Sequence, residues 1–134
     1  MFDPCPDDSG KEGRIPEGVC QPSKEGLLNT IGWSTEDQVA YAWEGAIVAC
    51  GSMMEWLRSL KLLDDVTESE EMAMKATDTS EVLLVPAFSG LGAPFWQMDR
   101  KARFHGITFG TTDSDIVAAT LETICFQIKA VVEA

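Results

Sequence analysis

Gly90-Leu-Gly-Ala-Pro94 lies between Phe88 on one side and Phe95-Trp96 on the other. Glycine admits backbone angles closed to other residues, and proline fixes one. The run therefore predicts a tight loop whose backbone can come against a ligand or another surface, with Phe88, Leu91, Phe95 and Trp96 as anchors. Gly51 and Glu55 form a second pair. At a spacing of four they share one helix face, where a residue without a side chain admits a ligand and the next turn offers a carboxylate. From the helix pattern alone the plainer reading is a close helix contact at Gly51 and a solvated acid at Glu55. Arg100, Lys101 and Arg103 are the densest basic cluster. They would suit an anion, although such a run reads first as solvated surface. The single histidine, His105, alternates with Phe104 and Gly106 in a strand-like run and is poorly placed for a general base.

Other chemistry is disfavoured by composition. The 134 residues carry 22 acidic against 10 basic side chains, a net charge of -12, so a basic surface that grips nucleic-acid phosphates is not expected. The cysteines are Cys5, Cys20, Cys50 and Cys125, with no C-x-x-C pair, and a zinc site would need scattered ligands. No metal site is therefore expected. Cys50 and Cys125 fall in apolar helical patterns and are expected to be reduced core thiols. The longest apolar run, Gly45 to Leu63, is broken by Glu55 and Arg58 and has helical spacing, so it predicts a packed helix and no membrane span. The first residues lack the pattern of a secretory or transit signal, which makes the cytoplasm the expected compartment.

The elements that must position these residues read as mixed α/β. Met1 to Glu25 is rich in Pro, Gly and charge without periodicity, and is expected to be an extended or disordered arm. Leu27–Trp33 and Gln38–Trp43 predict a hairpin around Ser34–Asp37. Glu44–Leu63 predicts a helix with Ile47, Cys50, Met54 and Leu57 on one face. Thr67 with Glu70 predicts a capping box opening a helix from Glu68 to about Thr77. Val82–Pro86 predicts a short buried strand, and Ala102–Thr108 a second strand. Thr112 then caps a long helix with Asp113 and Asp115 in its first turn and an apolar stripe of Val117, Leu121, Ile124, Cys125, Ile128, Val131 and Val132.

Ala102-x-Phe104-x-Gly106-Ile107, seven residues, then Asp115-Ile116-x-x-Ala119-Thr120-Leu121-Glu122 resembles the second signature of the FGGY carbohydrate kinases. Pro86-Ala-Phe-Ser-Gly-Leu-Gly-Ala-Pro-Phe-Trp96 looks like the glycerol kinases of that family, since pentulose kinases usually carry Gly-Glu-Arg-Thr-Pro at Gly90–Pro94. Gly26-Leu-Leu-Asn-Thr-Ile31 and Tyr41-Ala-Trp-Glu-Gly-Ala46, running into Gly51 and Trp56-Leu-Arg58, agree. The resemblance spans Gly26 to Ala134. One departure is Trp96-Gln-Met-Asp99, where the family usually has Trp-Asp-Pro.

The resemblance implies part of a ribonuclease-H-like (actin-type) ATPase domain, an internal piece of the kinase C-terminal domain. It further implies a reaction in which ATP and glycerol give glycerol 3-phosphate and ADP, with Mg2+, in a cytoplasmic enzyme that commonly forms oligomers. Phosphoryl transfer needs a phosphate cradle, a metal ion and an oriented base. No Walker-type glycine-lysine loop occurs, Met1–Glu25 shows neither the family's Gly-Thr-Gly turn nor its catalytic aspartate, and the family's glycerol-binding side chains lie upstream. No catalytic or substrate-binding residue is therefore assigned, and the chain by itself is expected to be inactive. By resemblance, Gly51 and Glu55 are cofactor-binding positions that contact ATP, with Glu55 replacing the usual Gln. A truncated, non-catalytic remnant and a kinase for another sugar are the alternatives.

Overall fold

The computed structural model describes residues 26–77 and 81–134. The expected amino-terminal arm lies outside them.

Strands β1 (Leu28–Ser34) and β2 (Val39–Glu44) form the expected antiparallel hairpin. Leu28 lies opposite Glu44 and Ser34 opposite Val39, with the register shifting between Ile31 and Trp33. The turn closes on itself, since Thr35 donates its N–H to the Gln38 carbonyl at 2.7 Å and Gln38 returns its own to Thr35 Oγ1 at 3.2 Å. An Ser/Thr side chain that mimics backbone pairing is what makes such polar turns.

Helix α1 covers only Gly51–Ser59, shorter than the Glu44–Leu63 expected. Glu44 still pairs with Leu28 as the last residue of β2. Gly45 is pressed against the carboxy-terminal helix, α3 (Asp113–Glu133), so that a Cβ there would run into the Val131 side chain. The chain therefore runs as an irregular link through Cys50 before it can coil. Ile47 and Cys50 are not on the helix face, and Cys50 is an exposed free thiol, not a core residue. At the other end Lys61 takes φ +61°, Leu62 donates to the Leu57 carbonyl at 3.1 Å and Lys61 to that of Arg58 at 3.0 Å. These two bonds make a Schellman termination with lysine where glycine is usual.

The capping box expected at Thr67 is replaced by another cap. Asp65 Oδ1 accepts from the Thr67 N–H at 2.8 Å and from its hydroxyl at 2.7 Å, opening a 3-10 turn over Val66–Glu68. The Thr67 hydroxyl, donated to a carboxylate, and its amide together hold the Asp65 carboxyl below its usual range. Helix α2 that follows is only Ser69–Ala73. It ends early because the chain turns toward α3, where the Thr77 N–H donates to Asp115 Oδ1 at 3.2 Å.

Strand β3 (Leu83–Val85) pairs antiparallel with β4 (Arg103–His105), Leu84 opposite Phe104. Val82 and Leu84 are buried but Leu83 is 46% exposed, so this apolar run alternates and is not buried on both faces as expected. Helix α3 (Asp113–Glu133) starts at the expected cap, Thr112, and Asp115 closes it into a box that was not foreseen: Thr112 Oγ1 accepts from the Asp115 N–H, and Asp115 Oδ2 accepts from the Thr112 N–H at 2.8 Å.

The core lies where α1 meets α3 and the β3–β4 pair. One cluster is Met54, Leu57, Leu63 and Val117; the other is Ala49, Met53 and Leu84 with Phe88, Phe104 and Ile124 packed on it. Val117, Ala118, Ala119, Thr120 and Thr123 form the buried face of α3, small residues that let α2, α1 and β3 come close. The stripe expected to continue beyond them does not stay buried. Cys125 is exposed, and Ile128 and Val132 are 48% and 75% exposed, because among the described residues the packed elements cover chiefly the first half of α3. No helix among the described residues is long and apolar enough to cross a membrane.

Candidate nucleotide-facing site

The Pro86–Trp96 loop is a closed lobe. Leu91 and Gln97 exchange backbone hydrogen bonds at 2.9 Å each, and the Phe95 and Trp96 amides both donate to the Gly92 carbonyl, also at 2.9 Å. The Ala93–Pro94 peptide bond is cis, and Gly90 sits at φ +88°. The Trp96 indole Nε1 donates to the Gly26 carbonyl at 2.7 Å, fastening the lobe to the entry of the hairpin. Phe88 meets the Trp56 ring edge-on with centroids 4.9 Å apart, which ties it to α1 as well.

The glycines of this lobe serve contact within the protein. A Cβ on Gly90 would lie 2.5 Å from the Met98 Cα. One on Gly92 would lie 2.7 Å from both the Ala46 carbonyl oxygen and Val48 Cγ2. Gly92 thus lets the lobe press directly on the Gly45–Cys50 link, the segment that leads into α1. This partner was not legible beforehand, since nothing local in Gly-Leu-Gly-Ala-Pro names what the glycine will face.

Gly51 differs from both. It is the first residue of α1, exposed, and a Cβ built there meets no atom within 4 Å. Among the described residues no close helix contact is made at Gly51, and the space beside it is open. Cys50 makes no side-chain cap to the helix. The amino-terminal turn carries the positive end of the helix dipole, an environment that favours negatively charged groups. Glu55 follows one turn later and is exposed, with Oε2 accepting from Arg58 Nη2 at 2.6 Å and Nε at 2.9 Å. The pair is solvent-exposed, so it biases the carboxylate toward Arg58 only weakly. Gly51 and Glu55 are thus brought to one side of α1, as their spacing predicts.

The end of α1 is positioned from two sides. Gly92 presses on the link from the lobe, while on α3 the Gln127 Nε2 donates to the Ala49 carbonyl at 3.0 Å and Val131 abuts Gly45. Ala49 is 3% exposed. A buried carbonyl left without a donor costs about 1–3 kcal/mol, so the Gln127 amide is a substantial part of what holds this segment. Gln127 was not singled out by its sequence pattern, because a lone glutamine on a long helix reads as surface.

The other candidates are not drawn into this site. Arg100 donates to the Gln97 side chain at 2.8 Å, and Arg100, Lys101 and Arg103 are all exposed. His105 is exposed on β4, opposite Leu83. A shallow cleft lies elsewhere, lined by Thr77, Val82, Gly106, Thr108, Thr111 and Asp115. The Asp115 carboxylate at its floor is engaged by Thr77 and Thr112. Among the described residues no three His, Cys, Asp or Glu side chains gather to hold a metal ion.

Comparison with known proteins gives a consistent result. Residues 15–134 match the C-terminal domain of the FGGY family of carbohydrate kinases. A glycerol kinase of Lactobacillus delbrueckii subsp. bulgaricus is 46% identical over 112 residues, which cover 83% of this chain and 22% of that protein. Among solved structures, a Plasmodium falciparum glycerol kinase with ADP aligns at TM-score 0.73 and 43% identity over 83% of this chain and 22% of its own. A ligand-bound xylulose kinase from Lactobacillus acidophilus aligns at TM-score 0.69 over 86% of this chain and 24% of its own. At 19% identity that last likeness speaks for a shared fold alone. The chain therefore spans about a fifth of the length of the curated relatives it matches. With the Ala102–Glu122 signature, the actin-type ATPase architecture of its neighbours and a family match over most of its length, this chain belongs to the FGGY family of carbohydrate kinases.

Proposed function

We propose that this chain contributes part of the nucleotide-binding side of an ATP-dependent glycerol kinase, which converts ATP and glycerol to ADP and glycerol 3-phosphate. The carrying observation is the open space beside Gly51 at the start of α1, in a chain 43% identical to a glycerol kinase solved with ADP. Gly51 admits the nucleotide past a helix end without a side chain. Glu55, one turn along and paired with Arg58, accepts hydrogen bonds from ribose hydroxyls, a role that a carboxylate fills as well as an amide oxygen. Repulsion between Glu55 and the phosphates is weakened by salt once they lie beyond about 8 Å.

Magnesium, when the enzyme uses it, belongs with the nucleotide phosphates. The described residues of this chain offer no converging set of hard oxygen ligands, and Mg2+ is commonly held by substrate phosphates with few protein contacts. The catalytic base and the glycerol-binding groups are not assigned to residues of this chain. Its own contribution is to orient the nucleotide and to limit where it can sit, which is a large part of how phosphoryl transfer is accelerated.

The test is kinetic. Residues 26–134 are transplanted into a glycerol kinase in place of its matching segment, with and without Gly51→Val. The valine variant is expected to raise the KM for ATP severalfold with the KM for glycerol little changed, the pattern of lost nucleotide binding. Unaltered ATP kinetics would remove Gly51 from the nucleotide site.

A further inference from the structure

On α3, Thr123, Gln127 and Val131 follow one another at one-turn intervals; Gln127 and Val131 meet the link that leads to α1, whereas Thr123 meets β3. The Thr123 hydroxyl donates to the Leu84 carbonyl in β3 at 2.9 Å, Gln127 Nε2 to the Ala49 carbonyl at 3.0 Å, and Val131 lies against Gly45. Residues four apart share a helix face, so these contacts form one line along α3. Gln127 differs from its neighbours in what it grips. Ala49 stands two residues before Gly51, and its buried carbonyl lies outside the helical ladder, since the Met53 N–H donates to Cys50 instead, at 2.9 Å. The Gln127 amide is thus a direct polar tie from α3 to the peptide that sets the direction in which α1 begins.

We infer that Gln127 is a positioning residue for the nucleoside phosphate site: by holding the Ala49 carbonyl it fixes the link that presents Gly51 and the first turn of α1 to the ligand. The inference rests on the reading of Gly51 as nucleotide-facing. Gln127 need not touch the ligand. A group that sets the orientation of a backbone segment alters affinity through the segment, and couplings of this kind change binding by about twofold to thirtyfold. The donor matters more than the bulk. Glutamate at this position keeps the size of the side chain but, when ionised, offers no N–H and sets a negative charge against a carbonyl oxygen.

The experiment titrates the 15N-labelled 134-residue chain with ADP and follows the backbone amides, alongside urea unfolding of each variant. Gln127→Glu and Gln127→Ala are expected to displace the Gly51 amide resonance before any ligand is added and to weaken ADP binding at least about twofold. Thr123→Val, which removes the neighbouring bond from α3 to β3, is the control for stability alone: it lowers the urea midpoint and leaves the ADP affinity at the parent value. Gly51→Val separates the two ideas. If Gly51→Val weakens ADP binding while both Gln127 variants bind as the parent does, the positioning role is wrong and the site stands. If Gln127 and Thr123 variants lose affinity in equal proportion to lost stability, Gln127 is only a structural bond and the inference fails. If Gly51→Val binds ADP unchanged, the site reading fails and takes the role of Gln127 with it.

Discussion

Gly92 leaves no room for a methyl group, because an added Cβ would come within 2.7 Å of the Ala46 carbonyl and of Val48. The carbonyl belongs to backbone that is itself held by α3, so it cannot yield cheaply. Gly92→Ala is expected to destabilise the fold by about 1–3 kcal/mol, the usual range for overpacking. A lowered urea midpoint at constant slope would register it, and an unchanged midpoint would mean that the lobe and the link are free to separate. Lys61 presents the opposite case. Its φ of +61° lies in the left-handed region, which costs a residue with a Cβ about 1–2 kcal/mol, while glycine takes it freely. Part of that gain is offset by the greater freedom of glycine in the unfolded chain. Lys61→Gly should raise stability by about 0.5–1 kcal/mol, and a loss of stability would show that the lysine side chain contributes more than its backbone strain costs.

Among the elements, α3 was the most legible in the sequence and α1 the least. The Thr112 cap is local, depending on residues three apart, and the structure forms it as read, with Asp115 closing it into a box. Thr112→Ala should cost about 1 kcal/mol through the lost cap, measured by chemical unfolding, and a variant of parental stability would mean that Asp115 holds the turn alone. Both boundaries of α1 were set by contacts that periodicity cannot show. Its start is delayed by the β2 pairing of Glu44 and by the approach of Gly45 to Val131, which stands far away in sequence. The cap before α2 was misplaced for a different reason, since both Asp65 and Thr67 are competent caps and the carboxylate, the stronger acceptor, takes the bonds. Cys50 and Cys125 were read as core from apolar patterns, but Cys50 falls in the irregular link before α1 and Cys125 in the less covered half of α3. At the site, spacing alone was enough to set Gly51 and Glu55 on one face of α1. What lies around that face was not legible, because Gly92 and Gln127 reach it only through the tertiary fold.

At the scale of the whole molecule, α1 stands between two supports, the glycine lobe and α3, with its amino-terminal turn turned toward open space. Such an arrangement would hold one edge of the proposed nucleotide site, in a chain that spans about a fifth of its curated relatives. On the proposed reading, nucleotide contact and phosphoryl transfer are separable properties of this chain. The most direct measurement is an ADP titration of the 134-residue chain followed by amide chemical shifts, with inosine as a nucleoside lacking phosphates. The account predicts saturable shifts concentrated at Gly51–Glu55 with ADP, weaker ones with inosine, and no glycerol-dependent ADP release when ATP and magnesium are supplied. Shifts that leave Gly51–Glu55 untouched while moving other parts of the chain, or no shift at all at millimolar ADP, would contradict it.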